Sequence, residues 1–524
     1  DVLVTHLADA ILARRQIALF ADYDVDGATS AAVVWRTLKS FGVEARIMVP
    51  DRVSDGYGPS VPLMERLVAG GAEVVVTLDC GAGAVEPVAA AKGLGATVLV
   101  IDHHPVDTIA PAHAVVNPNR ADDLSGLGDC AAVGVAFVVM VALAREMRRR
   151  GVDEATQPDL MALLDCVALG TVADVVPLTG LNRAFVRAGL KTLRRRGNRG
   201  LTALTEAARV GGPVDAGHLG FALGPRINAG GRIGDGGLGA KLLTTDDDAE
   251  AQRIASLLDQ LNGERRTMER RALEEAVAMA DETAPVIVVA GPWHPGVVGL
   301  VASRLKDRFR RPALAIGLGN QEAGSGDGRN GVGIGSGRSI PGVDLGAAVR
   351  QAASDGLLLK GGGHAMAAGL TVAAENLDAV TRFLTHALGA DVELARAADR
   401  LSVDGTVGLA ALDEDLAQLL AGHGPWGAGR PKPRFALEAV VLDSAQAVGS
   451  GDTLRLSLRG LCGTRRQAMA FRASGDLGAL LRGGVGDALH LVVELSHSTY
   501  RGRTRADIVV VDGARARASA RRAA

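Results

Sequence analysis

Acidic residues follow three predicted strands in the first part of the chain. The β-branched runs Ile17–Ala21, Val74–Leu78 and Thr97–Ile101 are typical of buried strands. The carboxyl ends of parallel strands meet at one edge of a sheet, so we expect the residues that follow them to lie close together. These residues are Asp22, Asp24 and Asp26 after the first run, Asp79 after the second, and Asp102, His103 and His104 after the third.

This set of side chains predicts a metal centre. Carboxylates that converge in a crevice repel one another, which raises their pKa values unless a cation lies between them. Oxygen and imidazole ligands without a thiolate favour Mn²⁺ or Mg²⁺. Two such ions about 3.5–4 Å apart can activate a water and stabilise the leaving oxygen of a phosphoryl group. We therefore expect one or two Mn²⁺ or Mg²⁺ ions and phosphodiester chemistry.

The spacing of these residues also predicts side-chain directions. In extended chain, Asp24 and Asp26 would point to the same side, because alternate residues share a face. His103 and His104 would then point to opposite sides. One histidine would bind metal and the other would meet the substrate.

Two glycine-rich segments later in the chain could bind phosphate. They read GSGRS at 335–339 and GGGHAMAAG at 361–369. We interpret both as loops whose backbone N–H groups point into one concavity, an arrangement that suits an anion. The phosphate-binding candidates in them are Ser336, Arg338, Gly362, Gly363 and His364.

Composition limits the protein class. The chain has 524 residues, of which 48% are hydrophobic and 22% charged, as in a globular protein of three or so domains. A net charge of −2 excludes a uniformly basic DNA-coating protein. The cysteines, Cys80, Cys130, Cys166 and Cys462, form no CxxC pair, which fits a reducing cytoplasm. The longest apolar runs fall short of the roughly 20 residues that a membrane span needs.

The element pattern predicts the domain order. With a further strand at Ala45–Val49, residues 1–190 are predicted to form a doubly wound parallel sheet of α/β class. Helices follow over 191–283, including a long one at 246–281. A second α/β domain covers 284–390, with strands at 285–290, 313–316 and 332–334. A β-barrel covers 400–513, with strands at 435–442, 453–458, 467–471 and 488–495, and a loose basic tail covers 514–524.

Four ordered motifs resemble those of the DHH phosphoesterases. They are DYDVDG at 22–27, the strand end at Asp79, DHH at 102–104 and GTVADVVPL at 170–178. The resemblance places Asp22 in the catalytic set and His104 at the reacting phosphate. It implies that the metal ligands are Asp24, Asp26, Asp79, Asp102, His103 and Asp174.

Further stretches look like single-strand-specific DNA exonucleases of that family. They are GPRINAGGRIGD at 224–235 and GPWHPGVVGLVASRL at 291–305. The resemblance implies substrate-binding roles for Arg226, Asn228, Arg232 and His294, and a phosphate contact for Arg52 in DRVSDGYG. The segment 423–435 resembles the approach to an OB-type barrel, although Arg430-Pro431 replaces the expected Asn-Pro.

The resemblance also implies an activity. It predicts a 5′→3′ exonuclease that draws single-stranded DNA through a cleft between the metal domain and the DHH-associated domain, releases 5′ mononucleotides, and acts in DNA repair and recombination. Single-strand-binding protein and a helicase are the expected partners.

Two other functions remain possible at this point. One is a phosphodiesterase for short oligonucleotides or cyclic dinucleotides, against which the extra barrel and the 224–235 stretch argue. The other is a non-catalytic DNA-binding scaffold, against which the complete set of metal-ligand candidates argues.

Overall fold

The computed structural model describes residues 1–52, 54–318, 331–398, 400–449, 453–473, 475–500 and 503–516. Its contacts divide the chain into two compact units. The large unit comprises residues 1–176, 188–210 and 217–399, and the small unit comprises residues 177–187, 211–216 and 400–524.

The helices and strands are numbered in chain order. The helices are α1 Val2–Leu12, α2 Val25–Ser40, α3 Val61–Ala69, α4 Val85–Gly93, α5 Ala132–Arg149, α6 Leu164–Ala173, α7 Gly180–Leu193, α8 Arg199–Ala207, α9 Ala216–His218, α10 Gly224–Ile233, α11 Leu238–Thr244, α12 Asp248–Met279, α13 Pro295–Phe309, α14 Leu345–Ser354, α15 Leu377–Ala398, α16 Glu414–Gly422 and α17 Gly475–Gly483. The strands are β1 Ile17–Ala21, β2 Arg46–Met48, β3 Val74–Leu78, β4 Thr97–Ile101, β5 Ala114–Val116, β6 Ile287–Gly291, β7 Ala313–Leu318, β8 Val332–Arg338, β9 Lys360–His364, β10 Ala367–Ala373, β11 Gly405–Thr406, β12 Arg434–Val448, β13 Thr453–Arg459, β14 Arg465–Ala470, β15 Ala488–Tyr500 and β16 Arg503–Arg515.

The first sheet is parallel throughout, as predicted. Its order is β2-β1-β3-β4-β5, and β1 pairs in register with β3 from Ile17↔Val74 to Ala21↔Leu78. Every residue of β1 and β3 is buried, which explains their uninterrupted apolar sequence. The bounds of β1, β3 and β4 agree with the prediction, whereas β2 is shorter. The carboxyl ends of β1, β3 and β4 therefore meet at one edge.

A long helix follows the first sheet. The predicted helix over 246–281 is α12, which continues through Gly263 over 32 residues. The Asp247 side chain caps its first turn by accepting hydrogen bonds from the backbone N–H groups of Ala249 and Glu250.

The second sheet corrects the interpretation of the glycine-rich segments. Its order is β6-β7-β8-β10-β9, in which β6 and β7 are parallel and the other pairs antiparallel. The segments predicted as loops are strands β8 and β9, so their backbone groups take part in ladder bonds. Glycine is required there for packing: a Cβ on Gly335 would lie 2.9 Å from side-chain atoms of both Ile316 and Leu370.

The small unit contains the predicted barrel. Strands β12, β13, β14, β16 and β15 pair in that order, and β12–β15 pairing closes the ring, while β11 adds to β12 in parallel. The tail prediction was wrong for its first residues, because β16 extends to Arg515 and pairs with β15. Residues 517–524 of the predicted tail lie outside the described part of the chain. Within that part, no helix is long and apolar enough to cross a membrane.

The packing role of the glycines in the second sheet can be tested with a matched pair. Gly335→Ala should lower the free energy of unfolding by about 1–3 kcal/mol, because the added methyl overpacks the sheet face. Gly369→Ala in the neighbouring strand should change it by less than about 0.5 kcal/mol, because no heavy atom of the described residues lies within 4 Å of that added Cβ. Denaturant titration of both variants measures the difference, and equal effects would contradict the packing role.

Candidate metal centre and anion pocket

The turn after β1 places two of the aspartates. Asp24 is the N-cap of α2, and its Oδ1 accepts hydrogen bonds from the backbone N–H groups of Asp26 (2.9 Å) and Gly27 (3.1 Å). Gly27 is required because a Cβ there would lie 2.3 Å from the carbonyl oxygen of Asp22. The segment is a helix start and is not extended, so the shared direction expected for Asp24 and Asp26 in extended chain does not apply.

Asp26 is buried against the amino end of α5. Its Oδ2 accepts from the N–H of Ala132 (2.6 Å) and its Oδ1 from the N–H of Val133 (2.9 Å). Burial and the nearby Asp24 carboxylate nevertheless raise the pKa of Asp26 to about 7. The helix terminus thus holds the carboxylate in place without fully compensating its charge.

The ligand atoms fall into adjoining groups. In each of three sets the offered atoms lie within 4.8 Å of one another: Asp22, Asp24 and Asp79; Asp26, His103 and Asp174; and Asp79, His103 and His104. The groups meet where His103 Nε2 lies 3.4 Å from Asp79 Oδ1 and 3.7 Å from Asp174 Oδ2. The structure therefore brings Asp174, which only the resemblance had indicated, to the strand-end acids.

Buried atoms without partners converge at this junction. Asp22 Oδ1, Asp79 Oδ1 and His103 Nε2 are buried and have no hydrogen-bond partner among the described residues. Asp79 also has a φ of 61°, which is strained for a residue other than glycine. These orphaned oxygen and nitrogen atoms form the donor set of a hard divalent cation, so the residues fit Mn²⁺ or Mg²⁺.

The electrostatics of the carboxylates point to the same conclusion. Burial, with neighbouring aspartates second, raises the pKa values of Asp22 and Asp79 well above their ordinary range. Burial followed by Asp26 and Asp24 raises the pKa of Asp174 to about 9. Protons or a cation must therefore compensate part of the charge of this cluster.

The two histidines differ in charge. His103 Nδ1 lies 3.0 Å from the carbonyl oxygen of Cys130; a carbonyl only accepts, so this contact assigns the proton to Nδ1 and leaves the Nε2 lone pair toward the carboxylates. Burial lowers the pKa of His103 to about 4. Burial also acts to lower the pKa of His104, but the 2.8 Å hydrogen bond to Asp102 outweighs it and raises that pKa. His103 is therefore neutral, as a metal ligand must be, and His104 favours the cationic form.

The predicted opposite directions of the histidine rings were wrong. The ring centroids of His103 and His104 lie 4.6 Å apart in an edge-to-face arrangement, because the chain turns after β4.

Asp102 differs from the other acids. Its oxygens accept hydrogen bonds from the N–H groups of Ala82, His103 and His104, and from the His104 ring. Burial alone would raise the pKa of Asp102, but the bonds and charge of His104, together with the N–H donors, lower it. Among the described residues Asp102 belongs to none of the ligand groups, whereas Asp22, which was not expected to be a ligand, belongs to one.

Three residues at the centre were missed by the sequence analysis. The Tyr57 hydroxyl donates to the carbonyl oxygen of Asp79 at 3.3 Å and lies 3.2 Å from His104 Nδ1. Asn117 and Asn119 side chains donate to the carbonyl oxygens of the two histidines. The asparagines follow β5, which ends at the same sheet edge, so recognising that short strand would have indicated them.

Helix α10 lies directly against the aspartate turn. Asn228 Oδ1 accepts from the N–H of Val25 at 3.2 Å. A Cβ on Gly231 would lie 2.4 Å from the carbonyl oxygen of Tyr23, so only glycine permits this approach. The next residue, Arg232, donates from Nη1 to the carbonyl oxygen of Gly296 at the start of α13.

Three arginines lie near one another beside this helix, and we call this group the arginine pocket: Arg52, Arg232 and Arg338. Arg52 lies over the Tyr23 ring at 4.9 Å, and Arg338 Nη1 donates to Ser336 Oγ at 2.9 Å. Burial, then Arg52, lowers the pKa of Arg338, and burial, then neighbouring arginines, lowers the pKa of Arg232 to about 10. In the described part of the chain none of the three forms an ion pair, so the pocket suits an anion.

The other predicted substrate-binding residues have different surroundings. Arg226 pairs with Asp259 of α12 at 2.8 Å, and His294 Nδ1 caps α13 by accepting from the N–H of Gly296. His364 is exposed, and its Nδ1 accepts from the N–H of Met366. Gly362 and Gly363 lie in β9 and pair with β10.

Sequence models of three families match the chain. The DHH family N-terminal domain matches residues 16–171, the DHHA1 domain residues 283–390 and the RecJ OB domain residues 403–512. These regions correspond to the parallel sheet, the second sheet and the barrel.

Curated relatives and solved structures agree with these matches. The single-stranded-DNA-specific exonuclease RecJ of Dickeya dadantii is 39% identical over 82% of this chain and 76% of its own length. The exonuclease of the same name from Bacillus subtilis is 32% identical over 97% of this chain and 62% of its own length. The crystal structure of RecJ from Thermus thermophilus in complex with Mn²⁺ has a TM-score of 0.77 and 30% identity, covering 98% of this chain and 71% of that one. The complex with Mg²⁺ from the same source has a TM-score of 0.72 and 29% identity, covering 98% of this chain and 70% of that one. This chain belongs to the RecJ family of DHH proteins.

Proposed function

We propose that this protein is a single-stranded-DNA-specific exonuclease that degrades strands in the 5′→3′ direction and releases 5′ mononucleotides during DNA repair and recombination. One observation carries the proposal: adjoining groups of metal-ligand atoms lie in the same unit as the arginine pocket, and α10 connects the two. The first can cleave a phosphodiester and the second can hold a terminal phosphate, which together describe an exonuclease. The RecJ relatives support single-stranded DNA as the substrate.

The ligand groups suggest which residues would hold the metals. Asp22, Asp24 and Asp79 would hold one Mn²⁺ or Mg²⁺ ion, and Asp26, His103 and Asp174 would hold a second. Asp79 lies where the two groups meet, with its Oδ1 3.4 Å from His103 Nε2. When bound, such ions lower the pKa of a coordinated water and stabilise the charge that develops on phosphate oxygens.

Asp102 is better suited to a positioning role than to the ligand role that the resemblance implied. Among the described residues Asp102 belongs to none of the ligand groups, and its oxygens accept from three backbone N–H groups and from the His104 ring. A carboxylate bonded to one ring nitrogen of His104 keeps the ring protonated and fixes its orientation. His104 would then donate a hydrogen bond to a non-bridging phosphate oxygen, with the Tyr57 hydroxyl beside it.

The arginine pocket would set the polarity of the reaction. Arg52, Arg232 and Arg338, with Ser336, would bind the phosphate at the 5′ end of the strand, and the fixed separation from the metal centre would determine the size of the product. Guanidinium groups without carboxylate partners can donate paired hydrogen bonds to a phosphate. The 5′→3′ direction rests on this assignment.

The other predicted substrate-binding residues would contribute less to binding than the arginine pocket. Asn228 and His294 would position the backbone on either side of Arg232, and Gly362, Gly363 and His364 would contact DNA from the edge strand of the second sheet. We propose no substrate contact for Arg226, because Asp259 engages it.

The cellular setting and the domain limits are also proposals. Single-strand-binding protein and a helicase would act with the enzyme on unwound DNA in the cytoplasm. The domains would be a metal domain at 1–190, connecting helices at 191–283, a substrate-binding domain at 284–390 and a barrel that begins at 400 and includes β16 to Arg515; the matched family regions support this order.

Digestion of a 3′-labelled single-stranded oligonucleotide with Mn²⁺ tests the activity, with a matching duplex and a dinucleotide as controls. A descending ladder from the single strand alone is expected. Cleavage confined to the dinucleotide would replace the proposal with an oligonucleotide phosphodiesterase, and DNA binding without cleavage would indicate a scaffold.

The shared position of Asp79 predicts a graded series of variants. Asp79→Asn should abolish hydrolysis and weaken Mn²⁺ binding by more than about 100-fold, because it removes a ligand charge at the point where the two ligand groups meet. Asp102→Asn should weaken Mn²⁺ binding by about 10–100-fold, because Asp102 accepts a hydrogen bond from the backbone N–H of the ligand His103. Isothermal titration with Mn²⁺ measures both, and exposed Asp246→Asn serves as the control. Equal Mn²⁺ affinities for Asp79→Asn and wild type would refute the ligand assignment.

The raised carboxylate pKa values predict how pH acts on stability. Asp26 and Asp174 have pKa values of about 7 and about 9 in the folded protein, above the ordinary value of 3.8, so the folded state binds more protons than the unfolded state. The metal-free protein should therefore lose stability as the pH rises from about 4 to about 9. Saturating Mn²⁺ should reverse this trend. Thermal denaturation in EDTA and in Mn²⁺ across that range checks both signs, and a flat EDTA profile would contradict the pKa assignment.

The terminal-phosphate assignment predicts a selective binding defect. Arg338→Gln should reduce the preference for a 5′-phosphorylated over a 5′-hydroxyl strand by about 10-fold or more, because a hydrogen bond to a charged group is lost. Arg226→Gln is the matched control and should keep the preference. Anisotropy measurements in EDTA separate binding from cleavage. Loss of the preference in the control alone would overturn the assignment.

A further inference from the structure

A buried polar network on α12 lies behind the arginine pocket and has no role in the function described so far. Asn262, Arg265 and Glu269 are 5%, 8% and 9% exposed and lie on one side of the helix at a spacing of three to four residues. Arg265 donates from Nη1 to Glu269 Oε2 at 2.7 Å and from Nη2 to Asn262 Oδ1 at 2.9 Å. Burying three polar side chains together on a helix that is mostly at the surface costs free energy, so their burial needs an explanation.

The network is not electrically neutral. Glu269 accepts from Arg265 through one oxygen and from Arg304 of α13 through the other, at 3.0 Å, so one carboxylate serves two guanidinium groups. Arg304 is 44% exposed, whereas Arg265 is buried and its Nε has no partner among the described residues. Water screens the charge of Arg304, but the charge of Arg265 acts on its surroundings at low dielectric.

Helix packing places this charge beside the arginine pocket. Side chains of Leu258 and Leu261 contact α10 at Gly230 and Gly234, where added Cβ atoms would lie 3.3 and 2.9 Å from them. Arg265 is one turn beyond Leu261, toward the end of α10 that carries Arg232. Consistent with this position, Arg265 is among the charges that, after burial, lower the pKa of Arg232.

We propose that Arg265 is a specificity-determining residue that makes the arginine pocket select the doubly charged terminal phosphate over a singly charged internal phosphodiester, with Glu269 and Asn262 as its positioning residues. The inference rests on the proposed function, because it assigns a purpose to the same pocket. A fixed positive charge that does not contact the substrate stabilises a bound phosphate in proportion to the negative charge of that phosphate. It therefore favours a monoester over a diester without forming a contact.

The test compares Arg265→Gln with Arg271→Gln. Both variants remove an arginine of α12 that pairs with the glutamate four residues further on, but Arg265 is buried and Arg271 is exposed. We expect Arg265→Gln to reduce the preference for 5′-phosphorylated over 5′-hydroxyl single strands by about fivefold, mainly by weakening binding of the phosphorylated strand. Arg271→Gln should keep the wild-type preference, because Arg271 pairs with Glu275 outside the network. The readout is fluorescence anisotropy in EDTA, with the melting temperature of each variant recorded.

The outcomes separate this inference from the function on which it rests. If wild type shows no preference for a 5′ phosphate, the arginine pocket itself is misassigned and the inference fails with it. If wild type shows the preference and Arg265→Gln retains it, or if Arg265→Gln weakens both strands equally, the pocket stands and the role of Arg265 is refuted. Should Arg265→Gln fail to fold, Arg265→Lys replaces it. That variant keeps the charge and should keep the preference, and its loss would overturn the charge argument.

Discussion

Repulsion between buried carboxylates is the constraint on which the rest of the structure depends. The fold places Asp22, Asp26 and Asp79 at one edge of a parallel sheet with almost no exposure to water. Each would be destabilising as an isolated buried charge, and their proximity increases the effect. Backbone N–H groups compensate part of it, as at the amino end of α5, but orphaned oxygen atoms remain. Without a cation, protons on these carboxylates compensate part of the remaining repulsion, since burial raises their pKa values.

Like charges also repel one another in the arginine pocket, but there the charges are positive. Burial and the charge of Arg52 lower the pKa of Arg338, burial and neighbouring arginines lower the pKa of Arg232, and no carboxylate is bonded to the three arginines in the described residues. If the carboxylates of the metal centre formed ion pairs with these arginines, the ligand-free protein would be more stable. The Tyr23 ring under Arg52 and the backbone contact of α10 at Gly231 instead fix each set at its own place. Metal ions would compensate one set, and the phosphate of the substrate would compensate the other.

Most of the first sheet and much of the centre could be predicted from the sequence. Fully buried parallel strands have unmistakable apolar runs, and their order along the chain brings Asp79 and Asp102 to one edge. Local geometry was less predictable: the start of α2 at Val25 and the turn after β4 decide where Asp26 and His104 point. Neither the start of α2 nor the turn after β4 can be predicted from the periodicity of apolar residues. Other features depended on tertiary contacts. Glycines in β8 resemble a phosphate loop in sequence, but Gly335 is needed because Ile316 and Leu370 fill the space above it. The difference between Asp102 and Asp22 is likewise invisible in the sequence, because it is set by which N–H groups reach each carboxylate.

Helix α10 explains how the two charged regions are kept in a fixed relation. Its glycines allow backbone contact with Tyr23 on one side, and Arg232 reaches the first turn of α13 on the other, where a Cβ on Gly296 would lie 2.1 Å from the Arg232 carbonyl oxygen. Where the backbone of α10 packs directly against other backbone, the helix has little freedom to slide, because no side chain at the contact can change rotamer. The separation between the ligand groups and the arginine pocket is therefore set by covalent geometry and backbone contact. A distance fixed in this way is what an enzyme needs if it is to cut a strand at a constant number of nucleotides from the phosphate it holds.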